Sequence, residues 1–587
     1  MTKLSGYDFR YAPAFMWVQR LGRILSVCCF SAAVASSAQT FQTLVNFDSS
    51  NGANPYAALF QSTDGNLYGT TVNGGANSSD YCTAGCGTVF KMTPAGSLDT
   101  LYDFCSLALC FDGYAPYGGL IQASDGNYYG ATTYGGSNGN NSGEVFELST
   151  SGLQTWQIFF PALNNPVAGL IQGLDGYFYL TTPVWGVEGG GIFKFKPEAG
   201  GNYYEKVWKF SDKGVDAGGN PEASLMEGPD RNFYGTTQDG YSENQEGAIY
   251  KFTSEGKGDI SLFYSFCALP NCADGELPKA SLILGSDGDF YGTTTAGGAN
   301  GYGTVFKISS AGVLTTLYSF CSSANCSDGA NPVGATLVEG SDGNFYGTTG
   351  YGGASVGLCG GSGCGTVFEM SPNGSLTTLH SFQGTDGEMP YGGLIQDTNG
   401  VFYGTTVSGG SSTICDSGCG TVFSLSAGLG PFVQTQQDAA PVGSTVAILG
   451  TNLSGASVVS FDGVKAKFEV VSDSEITADV PRAALTGALT VVTPTGTLSS
   501  RIPFRVLPGI ASFSPTSGPV GTQVQITGPS LLQTTSVAFD GMAASQFTVN
   551  SDREVTATVP VGASTGKITI TTLGGSVTSG KSYNVTN

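Results

Sequence analysis

Four aspartates stand in the same short setting, Asp-Gly-x-x-Pro, at Asp112, Asp274, Asp328 and Asp386. Carboxylate oxygens brought together from several loops could hold Ca²⁺, the one cofactor the residues suggest. Asp-Gly also starts a turn ahead of a strand, which is the plainer alternative. Twelve cysteines beyond residue 38 fall into close pairs: Cys82/Cys86, Cys105/Cys110, Cys267/Cys272, Cys321/Cys326, Cys359/Cys364 and Cys415/Cys419. Pairs this local, in even number, are expected to be disulfides in an oxidising compartment; metal capture by adjacent C-x3-C and C-x4-C pairs is the rival. Histidine chemistry is thin. His380, the single histidine, occupies the slot that sister repeats fill with Tyr102, Tyr264 and Tyr318, so packing is expected of it and no catalytic residue is assigned. Trp185, in P-V-W-G-V-E-G-G, and Tyr114 with Tyr117 in a neighbouring loop are aromatics suited to stacking on a sugar ring; drift within a degenerate repeat is the duller explanation.

The elements that must position these residues recur. A turn of the type Asp-Gly-Asn begins at Asp64, Asp125, Asp175, Asp230, Asp287, Asp342 and Asn399, with successive spacings of 61, 50, 55, 57, 55 and 57 residues. Around it stand an apolar run, F-Y-G-T-T, G-T-V-F-K/E and L-T-T-L-Y-S-F. Such a period indicates a propeller or solenoid whose units bury their faces on one another. The segments are short, β-branched and aromatic on both alternating sides, which fits strands covered on both faces. F-Q-T-L-V-N-F near Phe41 matches the fourth segment with no repeat before it, and the seventh repeat lacks its own. The expectation is therefore an all-β fold: a seven-bladed β-propeller of four-stranded blades over 39–429, with the N-terminal strand completing the last blade. The 1–2 and 3–4 turns are tight and the other connections long, so one rim is expected to be plain and the other to carry the cysteine-bearing loops.

Residues 1–38 carry Arg10, Arg20 and Arg23 ahead of an apolar run, Ile24–Ala35, and a small-residue site, which reads as a signal peptide cleaved after Ala38. That run is too short to span a bilayer, and no membrane span is expected in the mature chain. The net charge is −22. Removing one Lys, three Arg and one Asp with the signal leaves −25, which repels phosphate backbones and excludes nucleic acid as a partner.

Beyond a Gly/Pro break, 430–508 and 509–587 are two copies of one unit of about 80 residues, with Phe461-Asp462-Gly463 recurring as Phe539-Asp540-Gly541. Short alternating strands at this length indicate two immunoglobulin-like β-sandwiches. The string at Ser512–Gly528 resembles the IPT/TIG immunoglobulin-like domain, and the earlier copy resembles it more loosely. The repeated S-D-G-N-F-Y-G-T-T…G-T-V-F-K resembles the GloVer tandem repeat of exported bacterial proteins. These resemblances imply a secreted or cell-surface protein of unassigned activity, with the sandwiches as spacers or adhesive stalk.

Two function classes follow. The first is a non-enzymatic binding or adhesion protein, with the propeller as recognition head for an extracellular ligand, a polysaccharide or a surface protein. The second is a glycan-active glycosidase or lyase using paired Asp/Glu. Catalytic pairs would have to break the repeat symmetry, and the acidic residues mostly obey it.

Overall fold

The D-G-N turn is organised by a single carboxylate. In the computed structural model, which describes residues 39–136, 141–159, 165–183, 190–197, 203–210, 219–239, 246–253, 259–334, 336–355 and 357–586, Asp64 Oδ1 accepts the Asn66 N–H at 3.0 Å. Its Oδ2 accepts the Tyr68 hydroxyl at 2.8 Å and pairs with Lys91 of the third strand at 2.7 Å. Asp175, Asp230 and Asp287 repeat this with Tyr179 and Lys194, Tyr234 and Lys251, and Tyr291 and Lys307. One side chain thus fixes the turn, the following strand and the strand after that. Residues 1–38, the expected signal peptide with its cleavage point at Ala38, and Trp185 lie outside the described residues.

Each repeat folds into a four-stranded antiparallel sheet. In the first, Phe60–Gln61, Leu67–Thr71, Thr88–Met92 and Leu98–Asp103 lie side by side in that order. The glycine of Tyr-Gly-Thr-Thr has a steric cause: Gly69 lies opposite Phe90, whose ring would sit 2.6 Å from any Cβ there. Gly130, Gly292, Gly347 and Gly404 seat Phe146, Phe306, Phe368 and Phe423 in the same way. All second strands, from Leu67–Thr71 to Phe402–Thr406, are buried at every residue, as sheets covered on both faces require. The described residues form seven such sheets. The last consists of Leu394–Gln396, Phe402–Thr406 and Thr421–Ser426, and takes Thr40–Asn46 as its fourth strand, Phe41 opposite Leu425.

Neighbouring sheets are latched twice. Second-strand threonines donate to carbonyls just ahead of the next sheet: Thr70 to Gly118 (3.2 Å), Thr181 to Ala223 (2.8 Å), Thr236 to Ala280 (3.1 Å) and Thr348 to Pro390 (2.7 Å). Thr405 of the last sheet makes the equivalent bond to Ala57, ahead of the first, at 3.1 Å. In the other direction, a Gln or Glu ending a first strand accepts an N–H from the preceding sheet's turn: Gln122 from Thr63, Gln172 from Ser124, Glu227 from Leu174, Glu339 from Ser286 and Gln396 from Ser341. Gln61 of the first sheet accepts from Thr398 of the last at 3.2 Å. One apolar cluster joins Phe47, Leu67 and Phe90 to Tyr403 and Val422 across the same junction.

The long connections share a rim. Gly75, Gly136, Gly298, Gly353 and Gly410, each in a 2–3 loop, donate N–H groups to Ser49, Cys110, Cys272, Cys326 and Gly384, each in the loop entering the same sheet, at 2.7 to 3.1 Å. Among the described residues no α-helix forms; short 3-10 turns sit in four cysteine-bearing loops, and no helix is long and apolar enough to cross a membrane.

The C-terminal region forms two units of facing sheets around separate cores, one holding Ile448, Phe461, Ile476 and Phe504, the other Ile526, Phe539, Ile568 and Tyr583. Both reach back to the turn rim. Gln434 donates to Gln61 at 3.3 Å, Gln436 to the Gln122 carbonyl at 3.0 Å, and Ser474 to the Thr63 carbonyl at 2.8 Å. Phe432 N–H donates to the Thr398 carbonyl at 3.0 Å, and Ser576 N–H of the second unit to the Pro229 carbonyl at 3.1 Å. The two units, expected as a stalk, are thus hydrogen-bonded to the polar turn edges of the sheets. Next to Thr398, which takes two such contacts, from Phe432 and Thr451, is Asp397, which replaces the Ser, Ala or Gly of sister repeats and is 1% exposed. Burial pushes its carboxyl up to about 7, although the Thr398 N–H opposes the shift.

Candidate functional site

Where the chain leaves the rim loops for each first strand it passes through a proline. The residue before it is held in the left-handed region every time: Asn54, Ala115, Asn165, Asn220, Leu277, Asn331 and Met389 have φ between 51° and 57°. Asparagine tolerates this best, and Asn54, Asn165 and Asn331 also send their amides to the carbonyls of Val407, Thr133 and Thr295 in the preceding sheet. The residue after the proline is then Tyr56, Tyr117, Val167, Glu222, Lys279, Val333 or Tyr391. These seven equivalent positions line one cavity of about 460 Å³. Small residues follow them because the chains approach closely: a Cβ on Gly118 would lie 2.5 Å from the Ala168 carbonyl oxygen.

The backbone symmetry of this wall is not matched by its side chains. Tyr391, Tyr56 and Tyr117 are consecutive along the series of sheets, the last sheet being latched to the first. Tyr56 and Tyr117 have ring centroids 4.9 Å apart, Tyr56 and Tyr391 6.2 Å, and the Tyr391 hydroxyl meets that of Tyr351 at 3.0 Å. Burial raises the hydroxyl of Tyr117 to about 12 and those of Tyr56 and Tyr391 above the ordinary range, so all three remain O–H donors at neutral pH. Elsewhere in the wall, Lys279 and Glu222 form an ion pair at 3.5 Å, both about a quarter exposed. The floor is apolar, with Leu59, Leu120 and Leu170. Glu222 is the one carboxylate among the described residues lining the cavity.

Of the expected aromatics, the cavity takes Tyr117. Tyr114 is buried in the rim loop against Tyr134, ring centroids 5.3 Å apart. Tyr56 and Tyr391 were missed; the signal lay in the one column after the proline that does not repeat. Six disulfides join Cys82–Cys86, Cys105–Cys110, Cys267–Cys272, Cys321–Cys326, Cys359–Cys364 and Cys415–Cys419, all within the long connections. The sulfurs of Cys82, Cys86, Cys105 and Cys110 lie within 4.8 Å of one another, so two of these loops touch.

The four Asp-Gly aspartates serve their own loops. Asp112 accepts N–H groups from Ser106 (2.7 Å) and Leu107 (3.1 Å), inside the Cys105–Cys110 loop, and the Tyr102 hydroxyl at 2.9 Å. Asp274 does the same with Ala268, Leu269 and Tyr264, and Asp328 with Ser322, Ser323 and Tyr318. Asp386 accepts from Gln383 N–H at 2.7 Å and meets His380 Nε2 at 2.9 Å. His380 therefore makes the contact its sister tyrosines make, and its ring stacks on Phe41 at 3.6 Å. Among the described residues, none of the four joins a cluster of three or more close metal-ligating groups. Each of the four carboxylates is met by donors of its own loop, as the turn alternative expects.

One deviation has no equivalent elsewhere. Glu144 stands where Thr88, Thr304, Thr366 and Thr421 pair with second-strand threonines at 2.8 to 2.9 Å. It is fully buried, and burial, reinforced by Asp112, pushes its carboxyl well above the ordinary value, with the Gln154 amide the one group opposing the shift.

Residues 30–182 and 244–447 match the Gloeobacter/Verrucomicrobia repeat, more than half of the chain. The chain belongs to the Gloeobacter/Verrucomicrobia repeat family. The stretch between the matched segments holds the degenerate repeats, yet Ile171–Gln172 to Tyr203–Lys209 and Met226–Glu227 to Asp259–Ser265 keep the four-stranded sheet of this repeat family. Residues 432–506 match the IPT/TIG domain, which places the first C-terminal unit in that class. No curated protein matches the chain. Among solved structures, a fungal alcohol oxidase of the AA5 family in complex with copper is similar over 80% of this chain and 99% of its own, at 13% identity and TM-score 0.46. A surface glycan-binding protein from Prevotella bryantii is similar over 26% of this chain and 39% of its own, at 18% identity and TM-score 0.20. A protein from Bacteroides thetaiotaomicron of unknown function covers 66% of this chain and 76% of its own, at 13% identity and TM-score 0.35. Likenesses at these scores bear on neither ligand nor activity.

Proposed function

We propose that this repeat protein is an exported, non-enzymatic glycan-binding head, in which seven sheets close into a β-propeller over 39–429 and two sandwiches, 430–508 and 509–587, carry it. Ring closure is supported by the latches that run from the last sheet back to the first and by the single cavity lined from all seven repeats. Export is supported by the charge and length pattern of 1–38 and by six disulfides, which persist in oxidising compartments.

The observation that carries the ligand reading is the broken symmetry at the cavity mouth. Three neighbouring tyrosines offer flat apolar faces with hydroxyl tips, and Glu222 with Lys279 offers an acceptor and a donor. A sugar ring presents an apolar face for stacking and vicinal hydroxyls for such a pair. A two-carboxylate hydrolase needs a second acid within about 5–10 Å of the first, and Glu222 has no such companion among the described lining residues. The test is a glycan array probed with the mature chain, followed by product analysis on every hit. Retention of intact glycan is the expected result; new reducing ends would convert the head into an enzyme.

A further inference from the structure

The cavity runs along the first strands of all seven sheets. Its wall starts at the residues after the prolines, directly below the disulfide loops, and runs inward past Leu59, Leu120 and Leu170. Further along the same first strands, Gln61 donates to Thr398 Oγ1 at 2.9 Å and accepts from Gln434 of the first sandwich. Thr398 in turn meets Thr451 at 3.1 Å. The sandwiches touch this rim at Thr63, Gln122 and Thr398, in the first, second and last sheets, and at Pro229, in the fourth. They therefore straddle the circle of sheets rather than leaning on one edge. Arg501 of the first sandwich faces the same region: its guanidinium lies 5.8 Å from the Phe432 ring centroid, its Nε is buried without a hydrogen bond among the described residues, and burial depresses the guanidinium while the charge of Glu339, at a first-strand end in the sixth sheet, opposes that.

We infer that the cavity is a dead-end pocket, sealed on the turn rim by the C-terminal sandwiches, and that it takes the terminal one or two sugars of a glycan rather than an internal stretch. This deepens the glycan reading above and rests on it. A chain threading the ring would need an exit on the turn rim, the side on which Gln434 and Thr451 bond to Gln61 and Thr398. A volume of about 460 Å³ has room for roughly two sugar rings, with the end of the chain against the leucine floor. The remainder of the glycan would leave between the disulfide loops, making few further contacts.

The test uses the mature full chain and array hits prepared in three forms: a length series, the same oligosaccharides with the non-reducing end chemically capped, and with the reducing end capped. Maltohexaose against cyclomaltohexaose serves as a fixed linear and endless pair. The expected result is affinity that stops rising beyond about three sugars and falls at least tenfold when one particular end is capped. Tyr117→Ala and Tyr56→Ala should each weaken binding about tenfold, one stacking contact's worth. Glu222→Gln, nearly isosteric, guards against misfolding as the cause and should also weaken it. Affinity that grows with chain length, or survives capping of both ends, would overturn the dead-end inference and leave the glycan reading standing. Binding to no glycan at all would remove both.

Discussion

Asp397 offers the sharpest test of the packing described above, because its expected effect has a sign, a window and a size. The unfolded carboxyl ionises near 3.8 and the folded one near 7, since the group is buried beside the sandwich contact at Thr398 with one N–H for a partner. Between those values the unfolded chain gives up its proton first, so stability falls as pH rises through the window and levels off above about 7. Three units at about 1.4 kcal/mol each give roughly 4 kcal/mol lost across it. Asp397→Asn keeps the acceptor for Thr398 N–H and removes the charge, so the variant should lack this slope. The assay is thermal and urea unfolding of both proteins from pH 4.5 to 8. Taking their difference cancels the opposite contribution of Asp64, Asp230, Asp287, Asp328 and Asp386. Hydrogen-bond donors hold these five carboxyls below the ordinary value against burial, and their stabilisation is lost only as pH falls below about 4. A difference that stays flat with pH would show that Asp397 is hydrated and that the sandwich contact at Thr398 does not bury it.

Glu144→Thr should stabilise by about 2 kcal/mol at pH 8, by restoring the threonine pair with Thr132 and removing a buried carboxyl, with a smaller gain at pH 4.5; urea unfolding at the two pH values checks both. His380→Tyr should be within about 1 kcal/mol of the parent, since sister tyrosines make the same bond to aspartate, whereas His380→Ala should cost about 2 to 3 kcal/mol through the lost stack on Phe41 and the lost Asp386 contact. Replacing Cys105 and Cys110 together by serine should cost about 2 kcal/mol, the entropy of a short closed loop, and open 105–112 to proteolysis while the sheets persist; limited proteolysis with mass mapping reads this out. Calcium added after chelation should leave the melting temperature unchanged, because Asp112, Asp274, Asp328 and Asp386 already have local donors, and a saturable rise would show that the loops rearrange around the ion.

The sheets were legible in the sequence because their causes repeat. Gly69 opposite Phe90 and Asp64 beneath Tyr68 are contacts within one unit, and each survives in most copies, so alignment of the copies displays them. The stray strand at Phe41 was readable for the same reason: it matched a segment missing at the far end. The cavity was not legible in that way. Its tyrosines stand in a column that reads Tyr, Tyr, Val, Glu, Lys, Val, Tyr, and a search for recurrence passes over a column that varies. Trp185 and Tyr114 drew attention by residue type alone, whereas Tyr56 and Tyr391 needed the prolines before them to mark the place. The Asp-Gly aspartates repeat faithfully because each closes its own loop, which is a reason for recurrence that needs no shared ligand. The sandwich contacts were beyond reach, since Gln61 and Gln434 lie 373 residues apart and nothing local in either sequence names the other.

Thr40–Asn46 is the earliest described strand to leave the ribosome, and its partner Thr421–Ser426 is among the last of the repeat region. Until some 380 residues have been delivered, Thr40–Asn46 has no partner strand and stands as a template for mispairing with another copy. Assembly is thus a race between the clasp and aggregation. Amino-terminal trimming a few residues past the expected processing site would remove the clasp and leave every other sheet intact.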